Sequence, residues 1–341
     1  GDAAMILRQR EGLTGGIAGF FAKACVEVDV AVLDVPAPSK RIDTTDGPAA
    51  GPPGRSERRE GGGAQVELGP AATVGEMIET IRNSLEENRV DLYLQPIVTL
   101  PQRRTRFYEG LSRLRGPEGE IIMPGDYMRV AEPAGMMPVV DNLLLFRCVQ
   151  VVRRLVARNR DIGVFCNISV HSLLDSEFFP QFVEFMEHNA DLTGAMFFEF
   201  SQSAIDGLGP IERASLDALH ALGFRFSMDH VRRLDMNLSE LYDMGFRYVK
   251  VPANLLVGDM RGTGSLVRAE DLKALFERNG IDIVAERIED ERTAVAVLDM
   301  DIEFGQGFLF GEPRAVREDA LSAPADPLAD PVRELREVRV Q

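Results

Sequence analysis

The sequence predicts an α/β fold in which parallel strands close into a TIM-type (β/α)8 barrel. Apolar strand-like segments alternate with amphipathic helical segments over roughly 200 residues, and repeated strand–helix units form parallel sheets. About eight such strands fall within roughly 250 residues, which suits a closed barrel better than an open sheet. Several strands also end in a polar or charged residue, as barrel strands that open on a shared site do.

The candidate strands are short apolar runs separated by helical patterns. In chain order they are 92–98, 105–111, 163–168, 196–200, 224–228, 248–251, 281–285 and 303–310. Apolar residues recur at helical spacing between most of them, for example at 143–158 and 211–222. A further amphipathic helix precedes the first strand. We expect it to begin with a capping box formed by Thr73 and Glu76 and to end near Asn88.

The barrel is predicted to occupy residues 73–315, between segments of different composition. Residues 1–35 form a short N-terminal segment with one alternating strand pattern. Residues 36–72 are rich in Pro and Gly and poor in apolar side chains, which predicts a flexible linker because so little surface can be buried. Residues 316–341 are predicted to form a C-terminal tail with a short helix. Because the chain begins with Gly, we expect it to be part of a longer protein.

Composition excludes several classes of function. The chain has 341 residues, 45% of them hydrophobic and 27% charged, and a formal net charge of -16. A surface this acidic repels phosphates, so we expect no nucleic-acid polymer as a partner. No charge-free run of about 18 residues occurs, so we expect no membrane contact by this segment itself. The three cysteines fit neither a metal site nor a disulfide framework and predict a reducing, cytoplasmic location.

Polar residues that close successive strands are the candidate site. They are Asn167, Glu199, Asp229, Lys250, Glu286 and Gln306, each about one strand–helix unit after the last. Because the carboxyl ends of barrel strands share one face, we expect these side chains to converge. Carboxylate and amide oxygens suit a hard cation such as Mg²⁺ or Mn²⁺, and a nearby lysine can orient water or steady a phosphate. The alternative is that each residue merely ends its strand and faces solvent.

Several motifs occur in an informative order. The chain reads Leu-Gln-Pro-Ile-Val at 94–98 and Tyr-Glu-Gly-Leu-Ser-Arg at 108–113. Later it reads Cys-Asn-Ile-Ser at 166–169, Phe-Glu-Phe-Ser at 198–201, Ala-Glu-Arg-Ile-Glu at 285–289 and Gln-Gly-Phe at 306–308. This ordered set resembles the EAL domain, the cyclic di-GMP phosphodiesterase family of bacterial second-messenger signalling. Gly110 stands where that family usually has alanine, and the resemblance covers about residues 73–315.

The resemblance implies a modified TIM-type barrel whose first strand is reversed and whose ligand is cyclic di-GMP. Carried over by motif, it implies that the dinucleotide is bound or supported by Gln95, Leu111, Arg113, Glu289 and Gln306. It also implies a site for one Mg²⁺ or Mn²⁺, with the ligands Glu109, Asn167, Glu199 and Asp229. The residues implied to be catalytic are Lys250 and Glu286.

The chain departs from the family pattern around the second metal position. His230 stands where active members carry a second aspartate, and imidazole suits Mg²⁺ poorly and brings no negative charge. The residues 231–234 replace a glycine-rich loop, and Gln202 replaces a glutamate that would anchor that loop. Pro252 replaces an aspartate near the end of its strand. The resemblance therefore implies a degenerate EAL domain. It keeps the residues implied to bind the dinucleotide and the first metal, and it has lost the second metal site and the anchor of its loop.

Three functions remain open at this point. The leading hypothesis is a cyclic di-GMP receptor with little or no hydrolysis. The alternatives are an active Mg²⁺- or Mn²⁺-dependent phosphodiesterase and a nucleotide-independent protein-interaction module. Arg232 and Arg233 either bring positive charge to the mouth of the site or lie in solvent. The chain also resembles degenerate EAL proteins that act at the flagellated pole of alphaproteobacteria, which implies a membrane tether in a preceding region. The resemblance to degenerate members in general implies a protein partner, and the resemblance to the family at large implies a homodimer.

Overall fold

A computed structural model describes residues 74–158, 161–257 and 269–316. The predicted N-terminal segment, the linker, Thr73 and the tail beyond Val316 lie outside the described residues. Within the described ranges, no helix combines the length and the apolar character that a membrane span requires.

The described part alternates strands with helices as expected. The strands are β1 Val90–Thr99, β2 Thr105–Arg115, β3 Ile121–Ile122, β4 Gly163–Asn167, β5 Met196–Ser201, β6 Arg225–Asp229, β7 Phe246–Pro252, β8 Asp282–Glu286, β9 Phe304–Gln306 and β10 Arg314–Ala315. The first helices are α1 Val74–Glu86, α2 Pro124–Ala131, α3 Met137–Ala157, α4 Val170–Leu174, α5 Phe178–Glu187 and α6 Gln202–Asp206. The remaining helices are α7 Pro210–Ala221, α8 Leu238–Asp243, α9 Ala253–Val257, α10 Ala269–Arg278 and α11 Glu291–Leu298.

The sheet closes into a barrel with one reversed strand. The order β1-β9-β8-β7-β6-β5-β4-β2 returns to its start through the pairing of β1 with β2. Strand β1 is antiparallel to both of its barrel neighbours, whereas the pairings from β2 through β4 to β9 are parallel. A short hairpin joins β1 to β2, and such a connection can only give antiparallel strands. The predicted TIM-type barrel with its reversed first strand is confirmed.

Two predicted boundaries were wrong for local backbone reasons. The strand predicted at 303–310 ends at Gln306, because Gly307 has φ 157° and passes so close to Ile288 that a Cβ would lie 2.0 Å from its carbonyl oxygen. The helix predicted at 143–158 begins earlier, at Met137. Pro138 lies in its first turn, where a missing N–H costs nothing.

Aromatic rings fill the amino-terminal end of the barrel. They belong to Phe107, Phe165, Phe197, Tyr248 and Phe304, with centroids of contacting rings 5.1–6.3 Å apart. The Arg106 guanidinium lies 4.5 Å from the centre of the Phe107 ring. Since this end is packed with side chains, polar residues of the barrel can reach solvent only at the carboxyl ends of the strands.

The main core lies between the barrel and its helices, and it explains Gly110. Cys166 of β4 and Cys148 of α3 are both fully buried in this layer, on the strand face opposite to Asn167. A Cβ at Gly110 would lie only 2.8 Å from the sulfur of Cys148. Glycine in place of the family's alanine therefore lets α3 pack closely on β2.

Candidate functional site

The predicted polar residues lie at one end of the barrel. Strand registers place Asn167 beside Glu199, Ser201 beside Asp229 and Pro252 beside Glu286. All of these positions are at the carboxyl ends of parallel strands, opposite the aromatic layer. The structure therefore brings most of the predicted site residues together, although they are far apart in sequence.

Lys250 lies at the centre of the site and is fully buried. Its Nζ is 2.7 Å from Glu199 Oε1, 2.8 Å from Glu109 Oε2 and 3.7 Å from Asp229 Oδ2. The three carboxylates are also buried, with side chains at most 9% exposed. A buried ammonium is tolerated only when such partners compensate its desolvation. Lys250 thus neutralises part of a concentrated negative charge.

The cluster shifts the pKa values of its members in different directions. Burial favours the neutral amine of Lys250, but Asp229, Glu109 and Glu199 outweigh it and raise its pKa well above the usual range. Burial, assisted by Asp229 and Glu109, raises the pKa of Glu199 despite the contact with Lys250. Burial also opposes ionisation of Asp229, yet Lys250 and the hydrogen bonds from His230 lower its pKa. One ammonium therefore does not balance the three carboxylates, and the cluster titrates as a coupled group.

Side-chain amides hold Glu109 from both sides. Gln306 Nε2 donates to Glu109 Oε2 at 2.6 Å, and Asn167 Nδ2 donates to Glu109 Oε1 at 3.2 Å. Gln306 Nε2 also donates to Gln95 Oε1 at 3.2 Å, and Gln95 Nε2 donates to the carbonyl of Gly311 at 3.3 Å. The amide nitrogen of Asn167 makes its bonds within the protein, so its carbonyl oxygen is the atom left for a cation.

The donor set fits a divalent cation. One carboxylate oxygen from each of Glu109, Glu199 and Asp229 lies within 4.8 Å of the others. Among the described residues, the buried Glu199 Oε2 and Glu286 Oε1 have no hydrogen-bond partner. A buried acceptor without a partner destabilises the folded protein. A hard divalent cation is a suitable partner for such carboxylate oxygens. Lys250 contacts the carboxylates of Glu109, Glu199 and Asp229, so a cation would share these carboxylates with it.

His230 engages the carboxylate of Asp229 instead of adding an acidic ligand. Its main-chain N–H donates to Asp229 Oδ1 at 2.5 Å, and its Nδ1 lies 3.0 Å from Asp229 Oδ2. The hydrogen bond and charge of Asp229 raise the pKa of His230. The backbone of His230 has φ 52°, and its side chain is 64% exposed. The position implied for a second metal ligand thus carries an imidazole turned toward its neighbour.

The loop after His230 keeps an anchor, so the expectation that it had lost one was wrong. Gln202 is buried, and its Oε1 accepts from the main-chain N–H groups of Arg232 at 2.8 Å and Arg233 at 3.3 Å. Its Nε2 donates to the carbonyl of Arg233 at 2.8 Å, a bond that no carboxylate can make. Both arginines are exposed, and Arg233 pairs with Asp206 and Asp235 at 2.8 and 2.9 Å. Of the two arginines, only Arg232 is left to bring charge to the mouth.

We predict that Gln202→Glu lowers the free energy of unfolding by about 1–3 kcal/mol at neutral pH, because a buried carboxylate would face the Arg233 carbonyl without a donor. Hydrogen exchange at the amides of Arg232 and Arg233 should accelerate. Gln181→Glu is the matched control, since Gln181 Nε2 also donates to a main-chain carbonyl, that of Glu177 at 2.9 Å, but at the surface. Unchanged exchange of the loop amides in Gln202→Glu would contradict the anchoring role.

Four predicted residues lie outside this hydrogen-bonded cluster. The Arg113 guanidinium donates to the carbonyl of Ser112 at 2.8 Å and lies 5.3 Å from the centre of the Tyr93 ring. Leu111 is half-buried, Glu289 is exposed, and Glu286 is buried apart from 12% of its side chain. Burial first, and then the charge of Asp229, raise the pKa of Glu286 to about 7.

Sequence reasoning missed Asp141, which is buried in α3. Its Oδ2 accepts from the main-chain N–H of Ser169 at 2.8 Å and from the hydroxyl of Ser172 at 2.6 Å. Burial raises the pKa of Asp141 even so. It ties the segment after Asn167 to α3 and so holds the end of β4. The available signal was the polar pair Asp141 and Asn142 between the apolar residues of 137–140 and 143–146.

Comparisons with known proteins identify similar sequences and folds. A family model described as "EAL domain" matches residues 78–313. The chain is 25% identical over 237 residues to "Probable cyclic di-GMP phosphodiesterase PdeI" of Escherichia coli, an alignment that covers 68% of this chain and 30% of that protein. It is 24% identical over 269 residues to "Cyclic di-GMP phosphodiesterase NbdA" of Pseudomonas aeruginosa, with coverages of 77% and 34%. The chain thus spans about a third of the length of these relatives.

Solved structures show the same fold. The structure "PaMucR Phosphodiesterase, c-di-GMP complex" superposes with a TM-score of 0.61 at 22% identity, covering 70% of this chain and 97% of that chain. The FimX EAL domain from Pseudomonas aeruginosa bound to c-di-GMP gives 0.58 at 17% identity, with coverages of 73% and 98%.

Proposed function

Because the chain belongs to the EAL domain family, we propose that it is a cyclic di-GMP-binding regulatory protein with little or no hydrolytic activity. One observation carries the proposal. The buried carboxylates Glu109 and Glu199 are held in place around Lys250, whereas the residue after Asp229 is His230, whose main-chain N–H and imidazole contact the Asp229 carboxylate. The carboxylates proposed to hold the first cation are therefore present, and the position implied for an acidic ligand of a second cation carries His230.

In this proposal the residues of β1 and β2 bind the dinucleotide. Arg113 is buried, and its guanidinium is oriented by Tyr93 and by the Ser112 carbonyl, which suits a bond to one phosphate. Gln95 lies on β1 and contributes a polar contact. Leu111 lies on β2 and contributes an apolar surface. Glu289 and Gln306 are proposed to support the ligand from the far side of the site.

One divalent cation is proposed at the acidic cluster. Glu109, Asn167, Glu199 and Asp229 would hold Mg²⁺ or Mn²⁺, which supplies positive charge beside a phosphate when it is bound. Lys250 stays within the cluster as the protein's own compensating charge. Two-metal hydrolases stabilise the attacking and the leaving oxygen with separate ions, and His230 provides no carboxylate for the second one.

A specific observation favours the alternative of an active phosphodiesterase. The pKa of Glu286 is raised to about 7, and a carboxylate of that kind is suited to accept a proton at neutral pH. Lys250 and Glu286 are its proposed catalytic residues. The second alternative, a nucleotide-independent interaction module, predicts no dinucleotide binding at all. A protein partner, a homodimer and a cytoplasmic or membrane-tethered location stay predictions from the sequence.

Titration calorimetry followed by a turnover assay tests the proposal. We expect cyclic di-GMP to bind in the micromolar range, with no linear dinucleotide formed over hours in Mg²⁺ or Mn²⁺. Arg113→Ala should weaken binding by about tenfold or more, because bonds to charged groups contribute about 1.5–3 kcal/mol. Arg106→Ala is the matched control, since Arg106 is also on β2 and over an aromatic ring but at the opposite end of the barrel.

The outcomes separate the three functions. Rapid formation of linear dinucleotide would overturn the receptor proposal in favour of the phosphodiesterase. Absence of binding and of any thermal shift at saturating cyclic di-GMP would favour the interaction module, since a ligand that binds the folded state must stabilise it. Equal losses of cyclic di-GMP affinity in Arg106→Ala and Arg113→Ala would contradict the proposal that Arg113 binds a phosphate.

A further inference from the structure

Five residues other than glycine have a left-handed backbone in the part of the chain that the structure describes. Their φ angles lie between 52° and 59°, and they are Asn88, Arg103, His230, Arg287 and Asp301. A Cβ makes this conformation unfavourable for L residues, although asparagine, aspartate and histidine adopt it more readily than most. The two arginines are therefore the residues at which the strained backbone calls for a compensating interaction.

Arg103 has such an interaction within the fold, and Arg287 does not. The guanidinium of Arg103 donates to both carboxylate oxygens of Glu291. The side chain of Arg287 is 66% exposed, and its Nε lies 3.7 Å from Glu286 Oε1, beyond hydrogen-bond distance. Among the described residues, the Arg287 guanidinium donates no hydrogen bond. The fold by itself therefore gives no reason for an arginine at this position.

The backbone on both sides of Arg287 is fixed. Glu286 is the last residue of β8. Ile288 is fully buried, its N–H donates to the carbonyl of Gln306 at 3.0 Å, and its carbonyl accepts from the N–H of Leu309 at 3.2 Å. Arg287 is thus an exposed side chain on a rigid segment at the carboxyl end of β8, the end at which the acidic cluster lies.

The site is negatively charged at this edge. Burial and the charge of Asp229 raise the pKa of Glu286 to about 7, whereas the charges of Lys250 and Arg287 act in the opposite direction. A phosphate at this edge lies beside carboxylates that repel it. Because His230 stands at the position implied for an acidic ligand of a second cation, the positive charge needed here has to come from a side chain.

We propose that Arg287 binds a phosphate of the cyclic dinucleotide and takes the place of the positive charge that a second cation would supply. The inference rests on the proposed function and adds to it a second arginine besides Arg113. A guanidinium offers a phosphate parallel N–H donors, and those of Arg287 have no partner within the described ranges. The strained backbone is retained because it places this charge on a rigid segment beside the acidic cluster.

Three substitutions separate the charge of Arg287 from its strain. Arg287→Ala removes the guanidinium and keeps the strain, Arg287→Gly removes both, and Arg287→Lys keeps a positive charge. In calorimetry, Arg287→Ala and Arg287→Gly should each weaken cyclic di-GMP binding by about tenfold, and the affinity should become less sensitive to NaCl. Arg287→Lys should recover part of the affinity. Without ligand, Arg287→Gly should unfold at a higher urea concentration than Arg287→Ala, because glycine adopts the left-handed backbone without strain.

Arg278→Ala is the matched control for the loss of one positive charge. Arg278 is exposed in the last turn of α10. This helix leads into β8, so Arg278 lies near the amino-terminal end of that strand, away from the acidic cluster. The affinity of Arg278→Ala for cyclic di-GMP should equal that of the parent.

The results distinguish this inference from the function on which it rests. If the parent binds cyclic di-GMP and Arg287→Ala binds equally well, or if Arg278→Ala loses as much affinity, the phosphate contact of Arg287 is overturned and the receptor proposal stands. If Arg287→Gly is no more stable than Arg287→Ala, the argument from strain is overturned. If the parent shows no binding by calorimetry, both proposals are overturned.

Discussion

Replacement of Lys250 by methionine is expected to lower the free energy of unfolding by about 3–5 kcal/mol in metal-free buffer. Lys250 is the ammonium that contacts Glu109 and Glu199 at hydrogen-bond distance in a fully buried site. Methionine has a similar length and no charge, so it leaves those carboxylates desolvated and without the ammonium that compensates their charge. Urea denaturation with EDTA present measures the loss.

A divalent cation should recover part of that stability. At the proposed cation site, Mn²⁺ or Mg²⁺ would bind the folded protein in preference to the unfolded chain and would restore positive charge beside the same carboxylates. Lys273→Met is the matched control, because Lys273 pairs with Glu277 and Asp301 at the surface, where such pairs contribute about 1 kcal/mol or less. A Lys250→Met protein that is as stable as the parent would show that Lys250 does not compensate the cluster.

Replacement of Glu286 by glutamine is expected to raise the free energy of unfolding relative to the parent by about 3 kcal/mol as the pH rises from 4.5 to about 7. The folded-state pKa of about 7 exceeds the ordinary value of 4.5, so between these values the folded protein binds more protons than the unfolded chain. Stability from this group is present below pH 4.5 and is lost as the pH rises to about 7. A shift of one unit corresponds to about 1.4 kcal/mol.

The measurement compares unfolding of the parent and of Glu286→Gln in EDTA from pH 4.5 to pH 8.5. The variant should become progressively more stable relative to the parent up to about pH 7, after which the difference should stay constant. Glu312→Gln, at an exposed position, controls for the loss of a surface carboxylate. A difference between Glu286→Gln and the parent that does not change with pH would contradict burial as the cause of the shifted pKa.

The barrel and the location of its site were predictable from the sequence. The apolar runs have strand length and the segments between them have helical spacing, so local periodicity alone gives repeated strand–helix units. In parallel strands that share one direction, residues that close the strands meet at one end. For this reason Asn167, Glu199, Asp229 and Lys250 could be grouped although long segments separate them. The strand boundary after Gln306 could not, because it depends on how closely Gly307 approaches Ile288.

What each polar side chain does within the site was decided by the tertiary structure. Sequence comparison treated Gln202 as a lost anchor, but its amide binds three main-chain groups of the loop. It treated His230 as a missing ligand, but the imidazole contacts Asp229. Such roles depend on distances between residues on different strands and on which atom of a side chain faces its partner. Periodicity specifies which face of a strand a residue occupies, and only the closed barrel brings donors and acceptors from several strands within bonding distance.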